Sequence, residues 1–419
     1  MMMGSWRETT LGEVCDEVNG IIQTGPFGSQ LHQSDYSEVG IPVVMPKDII
    51  EGRIASDTVA RVSTEHVERL SRHRLRSGDI VYGRRGDIGR QALIRPEQAG
   101  WMCGTGCLRL SFSDKVLDPL FLHYYLRQDD VVSWITNQAV GATMPNLNTG
   151  ILRSVPVRFP PLPIQQRIAG ILSAYDELIE NSQRRIRILE SMARALYREW
   201  FVHFRFPGFE NHPRVASPLG EIPQGWEVKK LSAVAEVNRA QVNARSAPEV
   251  LHYIDISSVS PGQIDSITTY AFADAPGRAR RIVQHGDVLW SCVRPNRRSH
   301  AQVMRPEPDT IASTGFAVLT ATKVPFTFLY FATTTDDFVA FLTNNATGAA
   351  YPAVSGSTFE KADLLIPPVP LLNKFGAMTI PMAEQIHALH RKIQNLRRTR
   401  DLLLPRLLSG QVALDAMEP

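Results

Sequence analysis

The sequence predicts an α+β chain built twice over. Two mostly-β, mixed globular domains are each followed by a long helix, and the two helices pair as an antiparallel coiled-coil spacer under an internal pseudo-twofold repeat. Three observations predict this. Segments of the first half recur, in order, in the second half. Each copy opens with short Val/Ile/Leu/Tyr runs broken by Gly, Pro, Asp and Asn, the pattern of short strands in an irregular sheet domain. Each copy closes with an apolar seam at heptad spacing.

The repeat is long, with offsets between 207 and 220 residues. "SWRETTLGEVCDEVNG" near Trp6 answers "GWEVKKLSAVAEVNRA" near Trp226, and "IPVVMPKDIIEGRI" answers "LHYIDISSVSPGQI". "SGDIVYGRRG" meets "HGDVLWSCVR" with Gly78 on Gly286, and "GTGCLRL" meets "STGFAVL" with Thr105 on Thr314. "GATMPNL…RFPPLP" meets "GAAYPAV…LIPPVP" with Gly141 on Gly348. Five matches in order, drifting as loop insertions would make them drift, are a duplicated domain. A helical stretch is expected late in each copy, "LFLHYYLRQDDVVSWITNQAV" and "FTFLYFATTTDDFVAFLTNNA".

The long helices follow from their seams. After "PPLPIQQ" the spacing of four and three carries through Ile168, Leu172, Tyr175, Ile179, Ser182, Ile186, Leu189, Ala193, Leu196 and Trp200. The second copy gives Phe375, Thr379, Met382, Ile386, Leu389, Ile393, Leu396, Arg400, Leu403 and Leu407, weakened at Thr379 and Arg400. Pro161 and Pro163 mark the first start, and Pro405 is expected to limit the second helix. At 1.5 Å per residue each helix is on the order of 50 Å long. Such a seam must be buried; the economical partner is the other copy's helix, and a homodimeric coiled coil is the alternative. The expected organisation is a first head over 1–158, spacer helix over 159–204, a Pro/Gly-rich linker over 205–221, a second head over 222–365, its helix over 366–412 and a tail over 413–419.

Bulk properties narrow the functional classes. The chain has 419 residues, 43% of them hydrophobic, four cysteines and a net charge of +3. No apolar run reaches the length of a membrane-spanning helix, and "MMMGSWRETT" lacks a signal-peptide layout. Few, scattered cysteines fit a reducing, cytoplasmic setting. The mild positive charge permits nucleic acid as a partner but requires local patches. Two similar heads on a rigid spacer suit a partner with two sites at fixed separation, such as duplex DNA.

The ordered set "GPFGSQL…GIPVVMPKDI", "GDIVYGRRG", "YIDISSV", "PPLPIQQRIAGIL" and "RDLLLPRLLSGQVAL" covers nearly the whole chain and resembles the specificity subunit of type I restriction-modification systems. That resemblance implies two target recognition domains that read a bipartite, asymmetric DNA site with an unread gap. It implies a chain with no catalytic centre and no cofactor of its own. S-adenosylmethionine, ATP and Mg2+ would sit on partners: two methyltransferase subunits and the helicase-nuclease restriction subunits. The coiled coil and the "PPLP" corners, near 160–166 and 367–373, would dock the methyltransferases. The DNA-recognition module of another nuclease or phage-defence assembly, and a coiled-coil scaffold for proteins, are the alternatives.

Candidate DNA contacts follow from residue type. Arg84, Arg85 and Arg90 follow the first "GD" strand, and Arg294, Arg297 and Arg298 follow the second. Arginine suits guanine edges and phosphates alike. Lys47, Thr105 and Asn146 are added in the first head, and Gln263, Thr314 and Tyr351 in the second. In "QTGPFGSQL", Gly25 and Gly28 allow tight turns close to a phosphate, and Phe27 is expected to pack beneath the loop. The basic stretches "NSQRRIRILE" and "HRKIQNLRRTR" read as solvated faces around the seam. Enzyme signals are thin. "GRRGDIG" lacks dinucleotide spacing, no P-loop pattern is present, and the amino-methyltransferase Pro-Pro motif is missing. Cys103 and Cys107 have no second ligand pair, and His387 with His390 lack further ligands, so no metal is expected.

Overall fold

The computed structural model describes residues 6–86, 88–139, 146–243 and 247–412. The tail over 413–419, residues 141–145 of the repeated "GATMPNL" motif and residues 244–246 of "NRAQVNARSAP" lie outside the described residues. The chain forms two compact units, Met1–Glu180 with Gln394–Pro419, and Asn181–Ile393. Both are mixed α and β.

In the first unit an antiparallel sheet has the strand order Ile21–Thr24, Cys107–Ser111, Ile80–Gly83, Gln91–Leu93. A second sheet runs Met102–Cys103, Ile41–Val44, Ala60–Val62, Tyr36–Ser37, its first pair parallel. The second unit has an antiparallel sheet in the order Ala235–Val237, Phe316–Ala321, Val288–Ser291, His300–Gln302. Its other sheet runs Thr268–Ala271, Val250–Ile254, Thr310–Ser313, Ala279–Ile282, and holds one parallel pair.

The two "GD" dipeptides that align in sequence do the same work locally. Gly78 and Gly286 sit at φ +86° and +88°, a region that favours glycine. Each following aspartate turns inward and caps that turn: Asp79 accepts from the Arg76 N–H at 2.8 Å, and Asp287 from the Gln284 N–H at 2.8 Å. Buried Asp79 also takes the Arg109 Nε at 2.6 Å. Asp287 instead accepts from the Thr320 hydroxyl at 2.7 Å, and burial pushes its carboxyl up to about 6.

Each late helical stretch is two short helices rather than one: Pro119–Tyr125 with Asp129–Gln138, and Phe326–Ala332 with Asp336–Asn344. Side-chain capping accounts for the second break, where Thr335 Oγ1 accepts from the Phe338 N–H at 3.2 Å. In the first stretch Asp118 Oδ1 caps the opening of the first helix, accepting from the Phe121 N–H at 2.8 Å, and the second helix starts after Gln128 without a side-chain cap.

The first long helix spans Leu162–Tyr197 and runs into a wider turn at Arg198–Val202. Its corner is fixed by fully buried Gln165, which donates to Pro160 O (2.9 Å) and Val116 O (3.0 Å) and accepts from the Asp118 N–H at 2.8 Å. The second spans Val369–Leu408. It continues through Pro405, which was expected to limit it. An interior proline costs about 3 kcal/mol, and here Leu407 and Leu408, three residues on at most, are buried in the first unit's core and offset it. The segment 205–221 carries most of a hairpin, Arg214–Ser217 with Gly220–Pro223.

The predicted seam positions turn inward within each unit. In the first unit Ile168 and Leu172 join a core with Phe121, Tyr124, Leu407 and Leu408. In the second, Tyr197, Trp200 and Phe201 gather on Phe375, with ring centroids 4.9–6.2 Å apart. Ile179, Ile186, Ala193, Leu389 and Ile393 are buried; Leu189, Leu196, Met382, Ile386, Leu396 and Leu403 are half-buried. The two polar exceptions of the second seam are partnered. Thr379 hydrogen-bonds the Thr327 hydroxyl at 2.7 Å and the Phe375 carbonyl at 2.9 Å. Arg400 forms an ion pair with Asp176.

Candidate nucleic-acid interface

In the first unit four turns converge where the strand Ile80–Gly83 ends. The Arg84 N–H donates to Gly106 O (2.8 Å), the Leu147 N–H donates to Arg84 O (2.9 Å), and Arg85 bridges Asn146 across the backbone. The Arg84 Nε also holds Asn146 Oδ1 at 3.1 Å. The turn Pro46–Asp48 packs against both: a Cβ on Gly83 or Gly106 would stand 3.7 or 3.4 Å from the Pro46 ring. Lys47 is exposed on that turn, whose shape is held by buried Asp48 accepting from the Met45 N–H at 2.9 Å. Burial raises the Asp48 carboxyl.

Five of the six residues named for this head are therefore drawn to one rim: Lys47, Arg84, Arg85, Thr105 and Asn146. Arg85 is exposed, Arg84 is half-buried in holding Asn146, and Thr105 is half-buried between Gly104 and Gly106. Arg90, also exposed, closes the same loop, since the Gly83 N–H donates to its carbonyl at 2.8 Å.

The loop "QTGPFGSQL" belongs to this rim. Gly25 donates its N–H to Cys107 O at 2.8 Å, and a Cβ there would stand 2.1 Å from Gly104 O. Close backbone approach, not a phosphate, is what demands that glycine. Phe27 does not pack beneath the loop: it is 54% exposed. Pro26 and Leu31 take the inward positions instead. Gly28 has open space around it.

The second unit repeats the main-chain frame. The Cys292 N–H donates to Gly315 O (2.8 Å), the Val354 N–H donates to Cys292 O (2.9 Å), and Val293 bridges Ala353. By these bonds Cys292 and Val293 stand where Arg84 and Arg85 stand in the first unit, so the two arginine clusters share a loop but not positions. Arg294 adopts φ +51°, donates its N–H to Pro352 O at 2.7 Å and reaches Ala350 O at 3.2 Å. Its guanidinium lies 4.6 Å from the Tyr351 ring centroid, and Tyr351 is 68% exposed. Arg297 is exposed at the tip of the turn. Arg298, at φ +55°, is committed to an ion pair with Asp336, a partner no local pattern announced. Thr314 is half-buried beside Gly315 and donates its N–H to Arg278 O at 2.8 Å. Gln263 is exposed on a separate ribbon with Ser260, and no side-chain bond joins it to the Arg294 loop among the described residues.

Cys103 and Cys107 are buried in strands, and burial pushes the Cys103 thiol up to about 12. Burial lowers His387 and His390. Among the described residues no three His, Cys, Asp or Glu side chains gather as metal ligands, and no helix is long and apolar enough to cross a membrane.

Convergent cationic turns at a sheet rim present the kind of surface that suits a polyanion. Comparison with known proteins narrows the class. Residues 3–191 match the family described as the type I restriction modification DNA specificity domain. The type I restriction enzyme MjaIX specificity subunit of Methanocaldococcus jannaschii is 24% identical over 90% of this chain and 88% of its own length. The HindI specificity subunit of Haemophilus influenzae is 19% identical over 98% of this chain and 100% of its own. In fold, the crystal structure of the type I restriction-modification S subunit from M. genitalium matches with a TM-score of 0.61, at 15% identity over 96% of each chain. Over most of its length the chain is similar to type I restriction enzyme specificity subunits.

Proposed function

We propose that this chain is the non-catalytic subunit that selects the DNA site of a type I restriction-modification complex, reading a bipartite, asymmetric sequence with an unread gap. The observation that carries the reading is the frame described above: the same three backbone contacts hold an arginine-bearing loop at the strand end in each unit. One frame with different side chains suits two heads that read different half-sites. It also supports the internal repeat inferred from sequence, with heads over 1–158 and 222–365. Arg85 and Lys47 would meet the first half-site, Arg294, Arg297 and Tyr351 the second. Arg84 and Asn146 would shape the first rim, and Arg90, Thr105, Thr314, Arg298 and Gln263 would act at the margins.

The two long helices would pair antiparallel as the spacer. The Asp176–Arg400 pair and the aromatic cluster on Phe375 support that direction, since each joins the beginning of one helix to the far end of the other. Two methyltransferase subunits would dock on the helices and the corners near 160–166 and 367–373, with restriction subunits joining them. S-adenosylmethionine, ATP and Mg2+ would be bound by those partners, in the cytoplasm.

The test is a methylome. Cells expressing this chain with its neighbouring methyltransferase are compared with cells lacking this chain. A chain-dependent N6-methyladenine mark at a split motif is the expected result. A competent methyltransferase pairing with no chain-dependent mark would overturn the proposal.

A further inference from the structure

The exposed ring of Phe27 is unexplained by the fold. A phenyl group half in water on a flexible loop would be unremarkable, but this loop is not flexible in design. Gly25 is pressed against the Gly104 carbonyl, buried Pro26 follows, and the turn then closes on itself. The Phe27 N–H donates to Gln30 Oε1 at 3.1 Å, and the Phe27 carbonyl accepts from the N–H groups of Gln30 at 2.8 Å and Leu31 at 3.2 Å. Leu31 is buried and anchors the far end. The backbone of Phe27 is thus fully committed, and its side chain is presented outward from the turn that carries it. The same rim carries exposed Lys47 and Arg85, held through Pro46, Gly104 and Gly106.

A rim of cations positions a DNA backbone. What a phenyl ring adds there is decided by its chemistry. It has no donor or acceptor, so against the polar edges of guanine, cytosine or adenine it would strip water without replacing it. In the major groove the one apolar group on offer is the C5-methyl of thymine.

We propose that Phe27 is a specificity-determining residue of the first head, reading a thymine through its C5-methyl group. The inference rests on the proposed function. It takes a residue without hydrogen-bonding capacity and gives it one base to select. Removing one methyl from the contact should weaken binding about fourfold, the equivalent of about 0.8 kcal/mol.

The experiment uses the full chain assembled with its methyltransferase partners, bound to duplexes carrying the motif that the methylome names. Each thymine of the motif is replaced in turn by uracil, which removes only the methyl. Wild type should lose about fourfold at one thymine, and the same replacement should leave Phe27→Ala unaffected. Phe27→Ala should melt as wild type does, because the ring makes no core contact. Specific binding that is retained, with no thymine whose methyl couples to Phe27, overturns this inference and leaves the proposed function standing. Absence of sequence-specific binding by wild type overturns both.

Discussion

Replacing Arg400 by methionine tests how the two long helices are locked in the first unit. Asp176 is the charge centre there. Its carboxylate is ion-paired with Arg400, accepts from the Tyr124 hydroxyl at 2.8 Å and lies 3.7 Å from Arg127, while its carbonyl takes the Arg53 guanidinium at 2.9 Å. Burial alone would raise this carboxyl, yet Arg400 and Tyr124 hold it below the usual carboxylate range. The Asp176 and Arg400 side chains are 14% and 15% exposed. Removing one partner of a buried pair costs about 3–5 kcal/mol. Arg127 remains close enough to compensate in part, because charges about 4 Å apart at an effective dielectric of about 20 interact by about 4 kcal/mol. The expected cost of Arg400→Met is therefore about 2–3 kcal/mol, or about 4–12 °C on the first unit's transition. Asp176→Asn should cost a similar amount, and the double variant should recover about 1–2 kcal/mol of the summed loss. Hydrogen exchange of the backbone amides in 162–180 reads this unit directly. Losses that add within about 0.5 kcal/mol would show that the two side chains are not coupled and would refute the reasoning.

Three further outcomes are expected. Arg85→Ala should weaken DNA binding by the assembled complex and lower the slope of log affinity against log salt by about 1, since one phosphate contact is lost; an unchanged slope removes Arg85 from the interface. Asp287 should make the second unit less stable as pH rises from about 4 through 6. Its carboxyl is raised in the folded state, so the fold holds the proton more tightly than the unfolded chain does, and stability falls as that proton leaves. Asp287→Asn should remove that decline, a difference on the order of 2–3 kcal/mol across the window, measured by urea unfolding at each pH. Gly25→Ala should destabilise the first rim by about 1–3 kcal/mol, because the added Cβ would meet Gly104 O at 2.1 Å; native stability on differential scanning would contradict that contact.

Much of the architecture was legible because it depends on periodicity. The seam needs only apolar residues at heptad spacing, and Ile168, Leu172, Ile179 and Ile186 are buried where spacing placed them. What escaped depends on partners distant in sequence. Thr379 and Arg400 read as defects, because Thr327 and Asp176, which satisfy them, lie 52 and 224 residues away. Pro405 read as a stop because local rules weigh the lost hydrogen bond and not the leucines beyond it. At the candidate interface, the loops were legible from the repeated strand ends, but side-chain direction was not. A Pro-Phe pair gives no sign which of the two turns inward, and Pro26 did. The alignment of Gly78 on Gly286 puts Arg84 on Cys292 and Arg85 on Val293, and the backbone hydrogen bonds agree, so grouping the arginines by residue type alone paired clusters that begin two positions apart.

The first unit is discontinuous: its last piece, Gln394–Pro419, is separated from the rest by the whole of the second unit. A ribosome therefore completes Asn181–Ile393 before it can supply Arg400, Leu407 and Leu408. The unit begun first is finished only after the second, and until Gln394–Pro419 is made its core lacks two leucines and its buried Asp176 has Arg127 but not Arg400. A chain ending at Ile393 should yield a protease-resistant second unit beside a first unit still open to cleavage. Quality control by the cell would thus bear on the head that was made first.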